Sequence, residues 1–142
     1  MVRSLVIAWG LMALCVAIHA AGVTAALRWW DRVGQPPGFW AWTRLLVVVA
    51  GWMIVLHLAE IAVWAMVYVR AGAMPDLPSA LYFSAVTYTT TGYGDLTLPP
   101  SWRLVGGVEA LTGILMCGLS TGLFVAVVNR MVQSMRQSTD KA

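Results

Sequence analysis

Three long stretches with almost no formal charge are the feature that most constrains this chain. Between successive arginines, residues 4–27 carry no charge, residues 45–69 carry only Glu60, and residues 104–129 carry only Glu109. At a rise of about 1.5 Å per residue, stretches of this length reach roughly 36–39 Å, which exceeds a hydrocarbon core of about 30 Å. We therefore predict three transmembrane helices at these positions.

The composition agrees with a lipid-embedded protein. Hydrophobic residues make up 60% of the chain and charged residues 11%, whereas a soluble domain is about half apolar and a quarter charged. The fold class expected is therefore an all-α integral membrane protein. The basic residues are scattered without a cluster, so we expect no nucleic-acid partner. The first stretch could be read as a signal peptide, but it is much longer than a typical h-region and no A-x-A cleavage pattern follows it.

The arginine distribution predicts the orientation in the plasma (inner) membrane. If the second and third helices are antiparallel neighbours, the first link and the C-terminal tail lie on one side. That side carries six basic residues and the other carries three (Arg28, Arg32, Arg44, Arg130, Arg136 and Lys141 against Arg3, Arg70 and Arg103). Because basic residues favour the cytoplasmic side, we expect a multi-pass protein with the N-terminus outside and the C-terminus cytoplasmic. Four tryptophans near the link are expected to be interface anchors (Trp29, Trp30, Trp40 and Trp42).

The segment between the second and third stretches contains a short helix candidate, at about residues 78–89. Asp76 can cap its start and Pro78 is tolerated in its first turn. Leu81, Tyr82 and Ala85 then recur at helical spacing. A helix this short cannot span the membrane, but it can enter the membrane if other protein surrounds it.

Residues 90–94, Thr-Thr-Gly-Tyr-Gly, follow this helix directly. Glycine at alternate positions lets consecutive carbonyl groups turn toward one axis, where they can replace the hydration shell of a cation. The hydroxyl of Thr90 adds a further oxygen. One strand cannot surround an ion, so four copies of the chain are needed to form a ring.

Residues 82–95 resemble the pore helix and signature filter of potassium channels, especially the small bacterial channels of the two-transmembrane pore type. The resemblance extends over residues 45–130 and includes Trp64-Ala65 and the run 109–113. It implies a homotetramer in which each subunit has a re-entrant pore helix and a filter loop. Two positions depart from the family pattern. Thr91 replaces the usual valine or isoleucine of the filter, and Val86 replaces a glutamate that pairs with the aspartate at position 95 in some relatives.

The resemblance also assigns roles to individual residues. Potassium is expected to bind the backbone carbonyls of Thr90, Thr91, Gly92 and Tyr93, with Gly94 at the outer end of the filter. Gly113 corresponds to the glycine hinge of the inner helix, and Thr121 to a position that faces the water-filled cavity. The alternative for the glycines of the third helix is close helix packing, as in Gly118-x-x-x-Gly122.

Asp95, Glu60 and Glu109 are expected to support the filter. The two glutamates lie inside spanning stretches, where a carboxyl group is costly unless it is protonated, paired or near water. We considered Tyr82, Thr87 and Tyr88 as partners. His57 shares a helix face with Glu60, which leaves a proton-sensitive gate as an alternative, and His19 is interpreted as a packed or hydrogen-bonded histidine.

These observations divide the chain into a first helix at 1–30, a cytoplasmic link at 31–44, a pore domain at 45–130 and a short tail at 131–142. Within the pore domain we predict an outer helix at 45–69, a pore helix near 78–89, a filter at 90–94 and an inner helix at 104–129. The function expected is passive, potassium-selective conduction, with no enzyme activity and no cofactor. The alternatives are a channel that also passes sodium, because of Thr91, and a non-conducting assembly subunit.

Overall fold

A computed structural model of the chain describes residues 2–33, 36 and 38–139. Within these residues the structure consists of four α-helices and one 3-10 turn, in the order α1 (Val2–Val33), α2 (Phe39–Arg70), α3 (Leu77–Tyr88), the 3-10 turn (Pro100–Trp102) and α4 (Arg103–Thr139). Three segments are long and apolar enough to cross a membrane, namely Ser4–Arg32, Phe39–Arg70 and Pro100–Arg136. The predicted all-α membrane fold with three spanning helices is confirmed.

The long helices extend beyond their predicted ends. α2 begins at Phe39 and α1 continues to Val33, so much of the predicted link 31–44 is helical, while positions 34, 35 and 37 lie outside the described residues. α4 likewise continues through most of the predicted tail, and residues 140–142, which include Lys141, are outside the description. The arginines therefore mark where the apolar surface ends. They do not end the helices, because a residue with a polar side chain still forms the backbone hydrogen bonds of a helix.

The three long helices run alternately up and down, which places α1 parallel to α4. Near one end, Leu11 of α1 belongs to the same buried cluster as Trp64 of α2 and Val105 of α4. Near the other end, Trp30 and Trp42 pack with their rings 5.7 Å apart in a cluster that also contains Val127. These two tryptophans are buried between the helices, whereas Trp29 and Trp40, which were expected to be interface anchors with them, are exposed.

Close contacts fix α1 against the other two long helices. At Gly22 of α1 an added Cβ would lie 2.4 Å from the side chain of Leu56, so this side chain packs directly on the glycine and would have to move to admit a larger residue. The indole N–H of Trp52 donates to the carbonyl oxygen of Gly22 at 3.0 Å. On the other flank, the guanidinium of Arg130 lies 5.8 Å from the ring centre of Trp30, a cation–π contact between α4 and α1.

The short helix α3 is wedged between α2 and α4. Asp76 caps it by accepting a hydrogen bond from the backbone N–H of Ser79 at 2.8 Å, as the sequence predicts. One face of α3 is buried, including Ser84 and Tyr88, whereas Leu81 and Tyr82 remain exposed in the single chain. The C-terminal residue of α3, Tyr88, is thus anchored in the bundle, and the exposed segment 89–95 begins directly after it.

Candidate functional site

Every second residue of the segment 90–94 has a positive φ angle. Thr90, Gly92 and Gly94 have φ angles of 59°, 51° and 79°, and Thr91 and Tyr93 are not among the residues with positive φ. A positive φ is uncommon for a residue other than glycine, so Thr90 is a notable position. Alternation of this kind lets successive carbonyl groups turn to the same side of the strand, which is what a ring of backbone carbonyl oxygens around a cation requires.

The start of this segment is held by α3. The backbone N–H of Gly92 donates to the carbonyl oxygen of Val86 at 3.0 Å, and that of Thr90 donates to the carbonyl oxygen of Thr87 at 2.9 Å. In the described part of the chain, no N–H or O–H group donates to the carbonyl oxygens of residues 90–94. These residues are also exposed in the single chain. Their carbonyl oxygens are therefore free to bind a ligand.

Asp95 is fastened to α3 at the outer end of this segment. The hydroxyl of Tyr82 donates to Oδ2 of Asp95 at 2.7 Å. This hydrogen bond holds the pKa of Asp95 below its ordinary value, because it stabilises the charged carboxylate. Tyr82 thus replaces the partner that is missing at Val86. The sequence offered Tyr82 as one of three possible partners for the buried glutamates, but its hydroxyl bonds to Asp95 and to neither glutamate.

Glu109 is buried between α2, α3 and α4. The hydroxyl of Tyr68 donates to its Oε2 at 2.7 Å, and the hydroxyl of Ser84 donates to its Oε1. Ser84 also lies 3.0 Å from the carbonyl oxygen of Ile61. Glu109 therefore connects the middle of α3 to both long helices beside it. None of the three tyrosine and threonine partners considered from the sequence is involved.

Glu60 lies in a second polar cluster, at the C-terminal end of α3. The hydroxyl of Tyr88 donates to its Oε2, so one of the considered partners is in place. Nδ1 of His19 lies 3.0 Å from Oε1 of Glu60, and Nδ1 of His57 lies 3.8 Å from Oε2. His19 is therefore hydrogen-bonded, as interpreted from the sequence, but it does so with the carboxylate of another helix.

Gly113 is a close-packing position between α4 and α3. A Cβ at this residue would lie 1.9 Å from the carbonyl oxygen of Tyr88 and 2.8 Å from its carbonyl carbon. This observation favours the packing interpretation of Gly113. No atom lies within 4 Å of where a Cβ of Gly118 or Gly122 would be in the single chain.

Thr121 has an exposed side chain whose hydroxyl donates to the carbonyl oxygen of Cys117 at 2.8 Å. Cys117 is exposed as well, one helical turn before Thr121. α4 therefore presents a polar hydroxyl and a thiol on a surface that no other helix of the described chain covers. The placement of Thr121 is compatible with a position that faces water.

A family model described as "Ion channel" matches residues 45–130. The chain therefore belongs to this ion channel family, and it is a membrane channel protein, not an enzyme. The matched range contains α2, α3, the segment 90–94 and most of α4, whereas α1 lies outside it.

Two curated relatives are similar to parts of the chain. The potassium voltage-gated channel protein Shal of Drosophila melanogaster is 30% identical over 90 residues, which are 63% of this chain and 16% of the relative. The potassium voltage-gated channel protein shk-1 of Caenorhabditis elegans is 43% identical over 52 residues, which are 36% of this chain and 10% of the relative. The chain thus spans less than a fifth of the length of either protein. No solved structure matches it.

Proposed function

We propose that the chain is one subunit of a homotetrameric potassium channel whose selectivity filter is residues 90–94. The observation that carries this proposal is the alternating backbone of these residues, together with carbonyl oxygens that no group of the described chain engages. Rings of such carbonyl oxygens can replace the hydration shell of potassium. The names of both curated relatives describe them as potassium channel proteins, which supports potassium as the permeant ion.

The exposure of this segment supports an assembly of several chains. Irregular backbone at membrane depth is tolerated only where protein buries it or where it lines a water-filled cavity. In the single chain, residues 89–97 are exposed, and 71% of the surface of Tyr93 is accessible. Neighbouring copies would cover the outer side of this strand and leave its carbonyl oxygens facing a shared axis. Four copies would surround an ion on that axis.

Conduction in this assembly is passive and needs no cofactor. An ion exchanges its water for the carbonyl oxygens of Tyr93, Gly92, Thr91 and Thr90 in turn, and it regains water in a cavity lined by α4, where Thr121 lies. The C-terminal end of α3 carries the negative end of the helix dipole, which favours a cation below the filter. Asp95, Glu60 and Glu109 act indirectly, because each accepts a hydrogen bond from a side chain of α3.

Thr91 gives a reason to keep a less selective channel as a second candidate. Its hydroxyl lies 3.0 Å from the hydroxyl of Thr89. The layer behind the filter is therefore polar at this point, where the family usually has a branched apolar side chain. Reversal potentials in mixed potassium and sodium separate the two candidates. The same recordings on purified protein would exclude the non-conducting assembly subunit if currents appear.

The test is potassium flux into liposomes that contain the purified chain, with Gly92→Ala and Gly94→Ala as the variants. A side chain is strained at the positive φ of either residue, so we expect each variant to lose flux or selectivity while it still assembles. Gly72→Ala is the matched control, because Gly72 has a φ of 68° and open space around it but lies in the loop after α2. Wild-type flux and wild-type potassium-to-sodium ratios in both filter variants would refute the proposal.

A further inference from the structure

Five side chains from four helices form a closed ring of hydrogen bonds beneath the filter segment. In order around the ring they are His19 of α1, Glu60 of α2, Tyr88 of α3, His57 of α2 and Ser120 of α4. Glu60 contacts His19 Nδ1 at 3.0 Å and the hydroxyl of Tyr88, which lies 3.2 Å from Nδ1 of His57. The hydroxyl of Ser120 closes the ring at 3.0 Å from Nε2 of His57 and 3.2 Å from Nε2 of His19. We call this set the polar ring.

The polar ring has one more contact than its side chains have protons when Glu60 is ionised and both histidines are neutral. Each of its five contacts needs one proton between the two atoms. Tyr88, Ser120 and the two neutral histidines supply one proton each, and an ionised carboxylate supplies none. Four protons therefore serve five contacts, and one contact would bring two lone pairs together. A fifth proton, on either histidine or on Glu60, completes every contact.

The net charge of the polar ring points to the same proton number. With four protons the ring carries one negative charge, and with five protons its net charge is zero. His19, Glu60 and Ser120 are buried, and 19% of the side chain of His57 is accessible. Among the described residues, no arginine or lysine forms an ion pair or hydrogen bond with a ring member. An unpaired charge inside a membrane-spanning bundle is costly, so the five-proton state is favoured.

Few other titratable groups face the polar ring. The thiols of Cys15 on α1 and Cys117 on α4 are close enough to Glu60 to interact with it electrostatically. A free thiol ordinarily stays neutral below about pH 8.5 and becomes negative above it, so neither thiol adds a second negative charge at neutral pH and neither can cancel the charge of Glu60. Glu109 adds a second carboxyl group that interacts with Cys15. Met53 offers only a weak acceptor, at 3.5 Å from the hydroxyl of Ser120.

We propose that the polar ring is a proton-binding site. It binds a fifth proton in addition to the four protons that Tyr88, Ser120 and the two neutral histidines carry when Glu60 is ionised. This fifth proton holds α1, α2, α3 and α4 together. At low pH the fifth proton is bound and all five contacts are made. As pH rises the proton leaves, one contact is lost, and the cluster gains a buried negative charge. A single coupled proton changes the ratio of closed to open rings about tenfold per pH unit.

The position of Ser120 on α4 lets proton binding at the polar ring affect the helix that would line the ion pathway. Ser120 lies on α4, seven residues after the close contact of Gly113 with α3, and it is bonded to histidines of both α1 and α2. A bend of α4 below Gly113 that moves its C-terminal half away from α1 and α2 would separate Ser120 from both histidines. A closed ring therefore holds α4 in the packed position, and a deprotonated ring releases it. This consequence for potassium flux rests on the proposed function, whereas proton binding itself does not.

The chain has only two histidines and both are ring members, so a spectroscopic test is direct. We propose to label the purified protein with ¹⁵N-histidine, using a tag without histidine, and to follow the four imidazole nitrogens by NMR between pH 5 and 9. Wild-type protein should show both histidines changing at one common midpoint, with the uptake of one proton. Two independent titrations, each close to that of a free histidine at about pH 6.5, would overturn the proposal.

Three variants test whether the side chains of the polar ring bind a shared proton or only pack as a structural cluster. Glu60→Gln supplies a neutral group that both donates and accepts, so it imitates the protonated carboxyl and should abolish the common titration near neutral pH. Ser120→Ala keeps every titratable group but removes the bridge between the histidines, so it should split the common midpoint into two. Glu109→Gln is the matched control, because it also replaces a buried carboxyl group that accepts from a tyrosine, and it should leave the histidine midpoint unchanged.

A result with Ser120→Ala that still shows one common midpoint would overturn the proposal, even if Glu60→Gln fails to fold. Zinc provides a further check, since ligand atoms of His19, His57 and Glu60 lie within 4.8 Å of one another. Stoichiometric Zn²⁺ binding that shifts both histidine signals at neutral pH would identify a metal site instead. Because the NMR measurement needs no ion flux, its failure is distinguishable from failure of the proposed channel function.

Discussion

The contact between Gly113 and Tyr88 predicts that Gly113→Ala destabilises the pore. The new methyl group would lie 1.9 Å from the carbonyl oxygen of Tyr88, whereas ordinary contacts begin near 3.4 Å. The obstacle is a backbone atom at the end of α3, which cannot rotate away as a side chain does. Either α4 moves back by more than about 1 Å, or α3 shifts and takes the segment that follows it along.

The expected change in the free energy of unfolding is the difference between two opposing contributions. Overpacking a well-filled site costs about 1–3 kcal/mol, and a backbone obstacle places this site at the upper end. Replacing a helical glycine by alanine returns about 1 kcal/mol through helix propensity. The net loss expected is therefore about 2 kcal/mol in the free energy of unfolding, which lowers the melting temperature by roughly 5 °C or more.

The assay is thermal unfolding of the purified protein in detergent, followed by potassium and sodium flux in liposomes. Gly51→Ala is the control, because no atom lies within 4 Å of its added methyl group, and it should melt at or above the wild-type temperature. We expect Gly113→Ala to melt lower and to discriminate less between potassium and sodium. A Gly113→Ala protein with wild-type melting temperature and ion ratio, but altered channel opening, would refute the packing argument and favour the hinge.

Three further predictions concern the filter, the topology and the assembly. Tyr82→Phe removes the donor to Asp95 and should reduce ion selectivity, measured by reversal potentials. Because the pKa of Asp95 is held below about 3.9, the stabilisation from this contact is present above that pH and is lost only in stronger acid, so Asp95 should add no pH dependence between pH 5 and 8. After Cys15 and Cys117 are replaced, cysteines introduced at Ser4 and Ser138 should react from opposite sides of the membrane. Mass photometry should find a tetramer of four 15.4 kDa chains.

The spanning helices were predictable because their cause is local. A continuous stretch of about 24 uncharged residues is expected to be helical in lipid, since only a helix satisfies the backbone hydrogen bonds within the segment itself. The ends were less predictable, because polar residues such as Arg44 continue α2 without a break. Pro36 and Gly38, with its φ of 77°, mark the boundary better than the charge does.

The polar ring was only partly visible in the sequence. The i, i+3 spacing of His57 and Glu60 places them on one face, so that pair could be read directly. His19 is separated from Glu60 by 41 residues, and their contact depends on the rotation of α1 about its own axis. Helix packing sets that rotation, through contacts such as Gly22 with Leu56. A single histidine in a long uncharged stretch was the available signal, and it indicated a partner without identifying one.

The two buried glutamates, Glu60 and Glu109, both accept hydrogen bonds from the same face of α3 and together fix that face. Ser84 and Tyr88 are four residues apart, so both project from one side of the helix. Glu109 engages the first and Glu60 the second, while Gly113 meets the carbonyl group of Tyr88. This side of α3 is therefore fixed by its own chain. The opposite side, including Tyr82, stays exposed and is available to a neighbouring copy. In the proposed tetramer, α3 fixed on one side by its own subunit would position residues 90–94 before assembly, so that four strands would come together with their conformation already formed.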